Sequence, residues 1–234
     1  QALALAARLR GIPAHIVMPE NSAVPKLRAV EGYGARVILC QSTLPAREST
    51  AARVLAETGG TMIPPYDHPD VIAGQGTAAL ELLEEVPDLD AVIAPVGGGG
   101  LVSGTCITVQ AVRPAAKVFA AEPKGADDAA RSQAKGERVM QEDPRTIADG
   151  LRTSLGELTW PFVRDHVARV VTVSEDEIVQ AMRLSWERAK LLIEPSSAVA
   201  VAAALSEEMR AMPGMSKVGV ILSGGNVDLD QLPW

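Results

Sequence analysis

Four consecutive glycines, Gly97, Gly98, Gly99 and Gly100, are the residues in this chain best placed to do chemistry. Backbone N–H groups without Cβ shielding can converge on an anion, and the flanks here would aim them. The apolar run at 91–96 suits a strand buried on both faces. From Leu101 to residue 112 the apolar residues recur at helical spacing. Strand, glycine turn and helix start together bring the positive end of a helix dipole to the gap, the arrangement of a phosphate-binding loop. A flexible linker would mix in serine and other polar residues and would not sit between a buried strand and a helix. A second loop, Ser223, Gly224, Gly225 and Asn226, follows another strand-like run at 217–222. Ligands of open α/β sheets lie beyond the carboxyl ends of the strands, so the two loops are expected to bracket one ligand.

The common nucleotide fingerprints do not fit. A dinucleotide motif starting at Gly97 needs glycine or alanine at Val102, and one starting at Gly98 needs it at Ser103. A P-loop starting at Gly99 reaches Gly104 but then meets Thr105 where lysine belongs. Cys40 and Cys106 lack metal-thiolate spacing and read as buried free thiols. His15, His68 and His166 are isolated and read as structural or solvent-facing.

The elements that must hold these loops alternate between helix and strand. An opening helix leads to a buried strand at 14–18, a helix at 23–32, a strand at 36–40, a helix at 45–58 and a short strand at 61–63. The proline-rich stretch 63–69 is the best domain boundary, giving a smaller α/β domain at 1–66 and a larger ligand-binding α/β domain at 67–234. Beyond it, residues 71–77 lead into a helix running to about 85, and a strand at 117–122 precedes a helix from about 126. An irregular segment spans 144–153, with a helix at 158–167 and a strand at 170–173. Ser174 and Glu177 form a capping box for a helix to Lys190, and residues 194–197 restart the chain into an alanine-rich helix. This rhythm predicts open, mostly parallel sheets with helices on both faces. The chain opens already inside a helical pattern, without methionine or an N-cap residue, and is expected to be cut within an element.

Composition narrows the function. With 234 residues, 47% of them hydrophobic, the chain can bury a sizeable core. A net charge of −7 argues against nucleic acid or an anionic membrane as the main partner. No apolar run reaches membrane-spanning length and no signal-peptide pattern opens the chain, so a cytoplasmic protein is expected.

The motifs carry a resemblance. Val96-Gly-Gly-Gly-Gly-Leu-Val-Ser-Gly104, Ile72-Ala-Gly-Gln-Gly-Thr77, Ala121-Glu-Pro123 with Ala126-Asp-Asp128, Ile147-Ala-Asp-Gly150, Ile193-Glu-Pro195 and Leu222-Ser-Gly-Gly-Asn226 stand in the order of the serine/threonine dehydratase and serine racemase family. The chain resembles these two-domain, fold type II pyridoxal-phosphate enzymes along its whole length, most of all the eukaryotic-type serine racemases.

The resemblance implies a set of roles. Gly97, Gly98, Gly99, Gly100 and Leu101 would hold the cofactor phosphate by main-chain N–H groups. Ser223 would face the pyridine nitrogen and leave it largely neutral, and Tyr66 would lie beside the ring. Glu122, the carbonyl of Ala126 and Asp128 match a divalent-cation site for Mg²⁺ or Ca²⁺. Gln1, Tyr33, Arg188, Lys190 and Asn226 match positions that contact ATP as an activator between subunits of a homodimer, and Arg47 matches an arginine that helps closure over substrate. Asp149 lies in a matched motif with no role assigned. The implied reaction removes the α-proton of serine or threonine and expels the β-hydroxyl, giving a 2-oxo acid and ammonia. Racemisation follows when an opposite-face serine returns the proton instead, and it stands as the alternative main activity. The family's Schiff-base lysine, that serine and its substrate-carboxylate loop all precede the counterpart of Gln1, so no catalytic residue is expected in this chain. Lys26, Lys117, Lys124, Lys135, Lys190 and Lys217 all fall outside the lysine motif. That leaves a non-catalytic pyridoxal-phosphate or nucleotide-binding protein as the rival reading; a nucleotide-dependent oxidoreductase is disfavoured by the failed fingerprints.

Overall fold

A computed structural model describes all 234 residues, in which helices alternate with parallel strands. The chain forms two compact units, residues 1–63 with 226–232 and residues 64–225 with 233–234.

The first unit carries α1 (Ala2–Leu9), β1 (His15–Pro19), α2 (Val24–Gly32), β2 (Arg36–Cys40) and α3 (Leu44–Thr58). β1 and β2 pair in parallel, from His15 opposite Arg36 to Pro19 opposite Cys40. Thr43 caps α3 by accepting the Ala46 N–H at 3.3 Å, and Gly59 ends it in the left-handed region at φ 65°. The core is small: Ala4, Val30 and Ala35 are buried, with Ile16, Met18, Tyr33 and Val37 packed on them. Two expectations need correction. β1 is half-buried throughout, because a two-stranded sheet has too few neighbours to cover both faces. No strand forms at 61–63; these residues are exposed, and Pro64 and Pro65 follow without N–H donors to continue a ladder.

The second unit contains α4 (Pro69–Glu85), β3 (Ala91–Pro95), α5 (Gly100–Val112), β4 (Lys117–Pro123), α6 (Asp128–Lys135), α7 (Trp160–Asp165), β5 (Val167–Val173), α8 (Glu175–Leu184), α9 (Pro195–Leu205), α10 (Glu207–Arg210) and β6 (Val218–Val220). The four strands lie in the order β5-β4-β3-β6, all parallel. β3 is buried at every position, as its unbroken apolar run demands of a strand with neighbours on both edges and helices on both faces. Its layer packs Val92, Ala94 and Val96 with Ala79, Leu83, Val102, Cys106 and Val118 into one core.

Two helices of this unit touch backbone to backbone. A Cβ on Gly104 would fall 2.4 Å from the Ile72 carbonyl oxygen and 2.5 Å from the Gly76 nitrogen. One on Gly76 would fall 2.8 Å from the Gly104 carbonyl oxygen, and Thr108 Oγ1 donates to the Gly76 carbonyl at 3.0 Å. Gly104 lies inside α5 and Gly76 inside α4, which starts at Pro69 with His68 Nδ1 accepting the Asp70 N–H; residues 71–77 therefore do not merely lead into the helix. α7 is shorter than expected and β5 longer. The cause is Gln133, whose amide nitrogen donates to the Val167 carbonyl at 2.9 Å while its oxygen accepts the Val170 N–H at 3.0 Å, extending the strand. α8 opens with the expected capping box, but residues 185–189 widen into a π turn before Lys190, which sits at φ 60°. α10 was not foreseen; it is a four-residue turn capped by Ser206.

Candidate functional site

The glycine loop and the Ser223 loop leave neighbouring strands at the same end. Ile93 of β3 lies opposite Val220 of β6, and the Ile221 N–H donates to the Ile93 carbonyl at 2.9 Å. Residues 97–100 and 223–225 follow within a few residues of that pairing. α5 begins from Gly99, which sits at φ 89° and offers no side-chain cap, and no acidic residue stands in the first turn. The first helical N–H groups are therefore left for another acceptor, at the positive end of the dipole. The loop is also closely walled. A Cβ on Gly98 would lie 2.3 Å from ring carbons of Tyr66, one on Gly97 would lie 3.0 Å from Leu151 Cα, and one on Gly100 would lie 3.0 Å from Tyr66 Cα. An uncapped, acid-free helix start behind side-chain-free backbone suits a phosphate dianion, so these residues fit pyridoxal phosphate.

One strand over, β4 ends at a buried acidic pair. Glu122 is fully buried, and its two oxygens accept the Ala129 and Ala130 N–H groups at 2.9 Å each. Asp128, also fully buried, accepts the Leu155 N–H on Oδ2 at 3.0 Å, while its Oδ1 is buried without a partner. Burial pushes the Glu122 carboxyl well above the usual carboxylate range; the two N–H donors pull it back and the Asp128 charge adds to the rise. Burial likewise pushes Asp128 up to about 6, against the Leu155 N–H. No three His, Cys, Asp or Glu side chains cluster as a metal site, here or elsewhere in the chain. Ala126 is buried between the pair in sequence, its N–H donating to the Pro123 carbonyl. Asp128 Oδ1 is thus the one carboxylate oxygen of the pair left open, the oxygen type that hard divalent cations take.

The other predicted residues are more scattered. Gln1, Tyr33, Arg47 and Asn226 belong to the first unit, and Arg188 and Lys190 to the second. Tyr33 caps α2 and lines a groove of about 450 Å³ with Ala4, Ala7 and Arg8, and Arg47 lies on α3 with its Nε buried and unpartnered. Arg188 lies in the π turn, and Lys190 donates to the Glu187 carbonyl at 2.6 Å. Lys117 and Lys217 sit at the opposite ends of their strands from the glycine loop, Lys217 paired with Asp88. Sequence reasoning missed Thr159, Asp67, Ser196 and the role of Glu194 in place. Glu194 is nearly buried at the start of α9; its N–H donates to the Gly224 carbonyl at 3.0 Å, setting the Ser223 loop. Ser196 Oγ accepts the Gly150 N–H at 3.0 Å. Thr159 falls inside the helix read at 158–167, but α7 starts only at Trp160, and Thr159 makes no side-chain cap bond to it.

Comparison with known proteins agrees with this geometry. The family model described as "Pyridoxal-phosphate dependent enzyme" matches residues 1–224. The serine racemase of Dictyostelium discoideum is 50% identical over 234 residues, covering 99% of this chain and 72% of that protein. The β-hydroxyaspartate dehydratase of Paracoccus denitrificans (strain Pd 1222) is 50% identical over 232 residues, covering 99% of this chain and 73% of that one. The structure of maize serine racemase superposes with a TM-score of 0.95 at 48% identity, covering 98% of this chain and 70% of that chain. A match of this length, joined to a fold whose strand tips present the glycine and serine loops side by side, leaves one assignment: the chain belongs to the fold type II family of pyridoxal-phosphate dependent enzymes.

Proposed function

We propose that the protein carries out pyridoxal-phosphate-dependent β-elimination of L-serine and L-threonine to a 2-oxo acid and ammonia, with racemisation of serine as a second outcome at the same site. The observation that carries this is the placement of residues 97–100 and Ser223 beyond the tips of two hydrogen-bonded parallel strands. When bound, the cofactor supplies an electron sink for negative charge at the substrate α-carbon. The chain's part is to bind and orient. Gly97, Gly98, Gly99, Gly100 and Leu101 hold the phosphate through N–H groups and the α5 dipole. Ser223 presents a hydroxyl, a weak proton source, to the ring nitrogen, and Tyr66 walls the ring. No residue of this chain is assigned the proton transfers, which in the family fall to a lysine and a serine. The half-identical relatives include both a racemase and a dehydratase, which supports keeping the two outcomes together.

Glu122, the Ala126 carbonyl and Asp128 are assigned to a Mg²⁺ or Ca²⁺ ion, supported by the orphaned Asp128 Oδ1. ATP contacts by Gln1, Tyr33, Arg188, Lys190 and Asn226, substrate closure by Arg47, and a homodimer rest on the family resemblance. These 234 residues alone are expected to be inactive, so the test is turnover, after loading with pyridoxal phosphate, by a protein in which the family's lysine-bearing segment is joined ahead of Gln1. Pyruvate from L-serine and 2-oxobutyrate from L-threonine are expected in a coupled dehydrogenase assay, with D-serine detected by chiral chromatography. Cofactor bound tightly with neither amino acid consumed would reduce the protein to a binding module.

A further inference from the structure

A short hydrogen bond to the glycine loop comes from a turn outside the motifs that carry the family resemblance. Thr159, fully buried, donates from Oγ1 to the Gly98 carbonyl at 2.7 Å and accepts the Gly156 N–H on the same oxygen at 2.8 Å. The Gly156 N–H also reaches the Gly98 carbonyl at 3.3 Å. The turn itself is clamped by Asp67, whose two carboxylate oxygens accept the Glu157 N–H at 3.0 Å and the Leu158 N–H at 2.9 Å. A Cβ on Gly156 would fall 2.1 Å from Asp67 Oδ1, and one on Gly99 would fall 2.7 Å from Thr159 Oγ1. Side-chain-free backbone is what allows these approaches.

The consequence lies in one peptide plane. In a trans peptide the N–H of a residue points opposite to the carbonyl of the residue before it. Fixing the Gly98 carbonyl toward Thr159 therefore turns the Gly99 N–H the other way. A Gly-Gly peptide has little steric preference of its own, and Gly99 at φ 89° shows that the loop uses conformations closed to other residues. Something outside the loop has to select the orientation. We propose that Thr159, held in place by Asp67, is a positioning residue that sets the Gly98–Gly99 peptide so that the Gly99 N–H faces the bound phosphate. The inference rests on the pyridoxal-phosphate reading and adds to it a residue acting through the loop.

The experiment compares Thr159→Val, isosteric but without the donor, with Thr159→Ser, which keeps it. Each is titrated with pyridoxal phosphate and, separately, with pyridoxal, which lacks the phosphate, following tryptophan fluorescence. Thr159→Val is expected to weaken pyridoxal phosphate binding by about tenfold, the loss of one well-made hydrogen bond, and to leave pyridoxal binding within about twofold. Thr159→Ser is expected to stay close to wild type for both. Should Thr159→Val fail to fold, Asp67→Asn, which loosens the clamp, is expected to give a smaller loss of about threefold, again confined to the phosphorylated ligand. Equal weakening of both ligands in Thr159→Val or Asp67→Asn would mean a merely structural role and overturn the proposal, as would unchanged pyridoxal phosphate affinity. Wild-type protein that binds no pyridoxal phosphate would instead remove the functional reading itself, and this inference with it.

Discussion

Asp128 has one oxygen committed to the Leu155 N–H and the other buried with nothing to satisfy it. Leaving a carboxylate oxygen in that state destabilises the fold, and burial shows the same cost by raising the carboxyl to about 6. Under the proposed cation reading, Mg²⁺ or Ca²⁺ removes the cost, and binding adds about 2.7 kcal/mol when free ion stands at a hundredfold its Kd. A rise of roughly 5 °C in thermal midpoint is expected on adding millimolar Mg²⁺ or Ca²⁺ to chelator-treated protein, read by differential scanning fluorimetry. Asp128→Asn keeps an oxygen for the Leu155 N–H but loses the charge, and its midpoint should no longer respond to the ion. A cation response that survives Asp128→Asn would place the ion elsewhere. In the sequence these two acids match a divalent-cation site through the family resemblance, while as residue types alone they read as acids gathered ahead of a helix for its dipole. What the sequence could not show is that Glu122 spends both oxygens on helix N–H groups while Asp128 keeps one in reserve.

Between α4 and α5 the decisive feature is an absence of side chains. Gly76 and Gly104 let the two backbones meet, and any Cβ at 104 would overlap both the Ile72 carbonyl and the Gly76 nitrogen. Gly104→Ala is therefore expected to destabilise the protein by roughly 3 kcal/mol, seen as a lower urea midpoint, despite alanine's better helix propensity. A stability equal to wild type would mean that the helices slide apart at little cost. Strong periodic segments of this kind were the most legible part of the chain. α2, β2, α3, α5 and β4 fall within a residue or two of their sequence-read bounds, because local pattern and burial agree there. The misreadings lie where a distant group decides. Gln133 lengthens β5 through its side-chain amide, a contact between residues more than thirty positions apart. Prolines at 64 and 65 deny the 61–63 stretch a ladder. Thr159 falls inside the helix read at 158–167 and is instead bonded to Gly98, 61 positions away.

On the scale of the whole chain, the two units differ in how much they bury. The first has a two-stranded sheet and a core centred on Ala4, Val30 and Ala35. The second has four parallel strands with a fully buried central one. Local stability follows buried apolar contact, so backbone amides of β1 and β2 are expected to exchange with deuterium at least about tenfold faster than those of β3 and β4, a difference of about 1.4 kcal/mol. Matching protection in all four strands, measured by mass spectrometry of the exchanged peptides, would contradict this.

The turn at residues 155–159 deserves a last consideration, because it is fastened at both ends of its short length. Leu155 gives its N–H to Asp128, and Gly156 and Thr159 hold the Gly98 carbonyl. Five residues thus tie the tip of one strand to the tip of the next. Under the proposed readings, a shift of this turn toward an ion at Asp128 would carry the Gly98 carbonyl with it, so strain imposed at either site would be shared across this bridge.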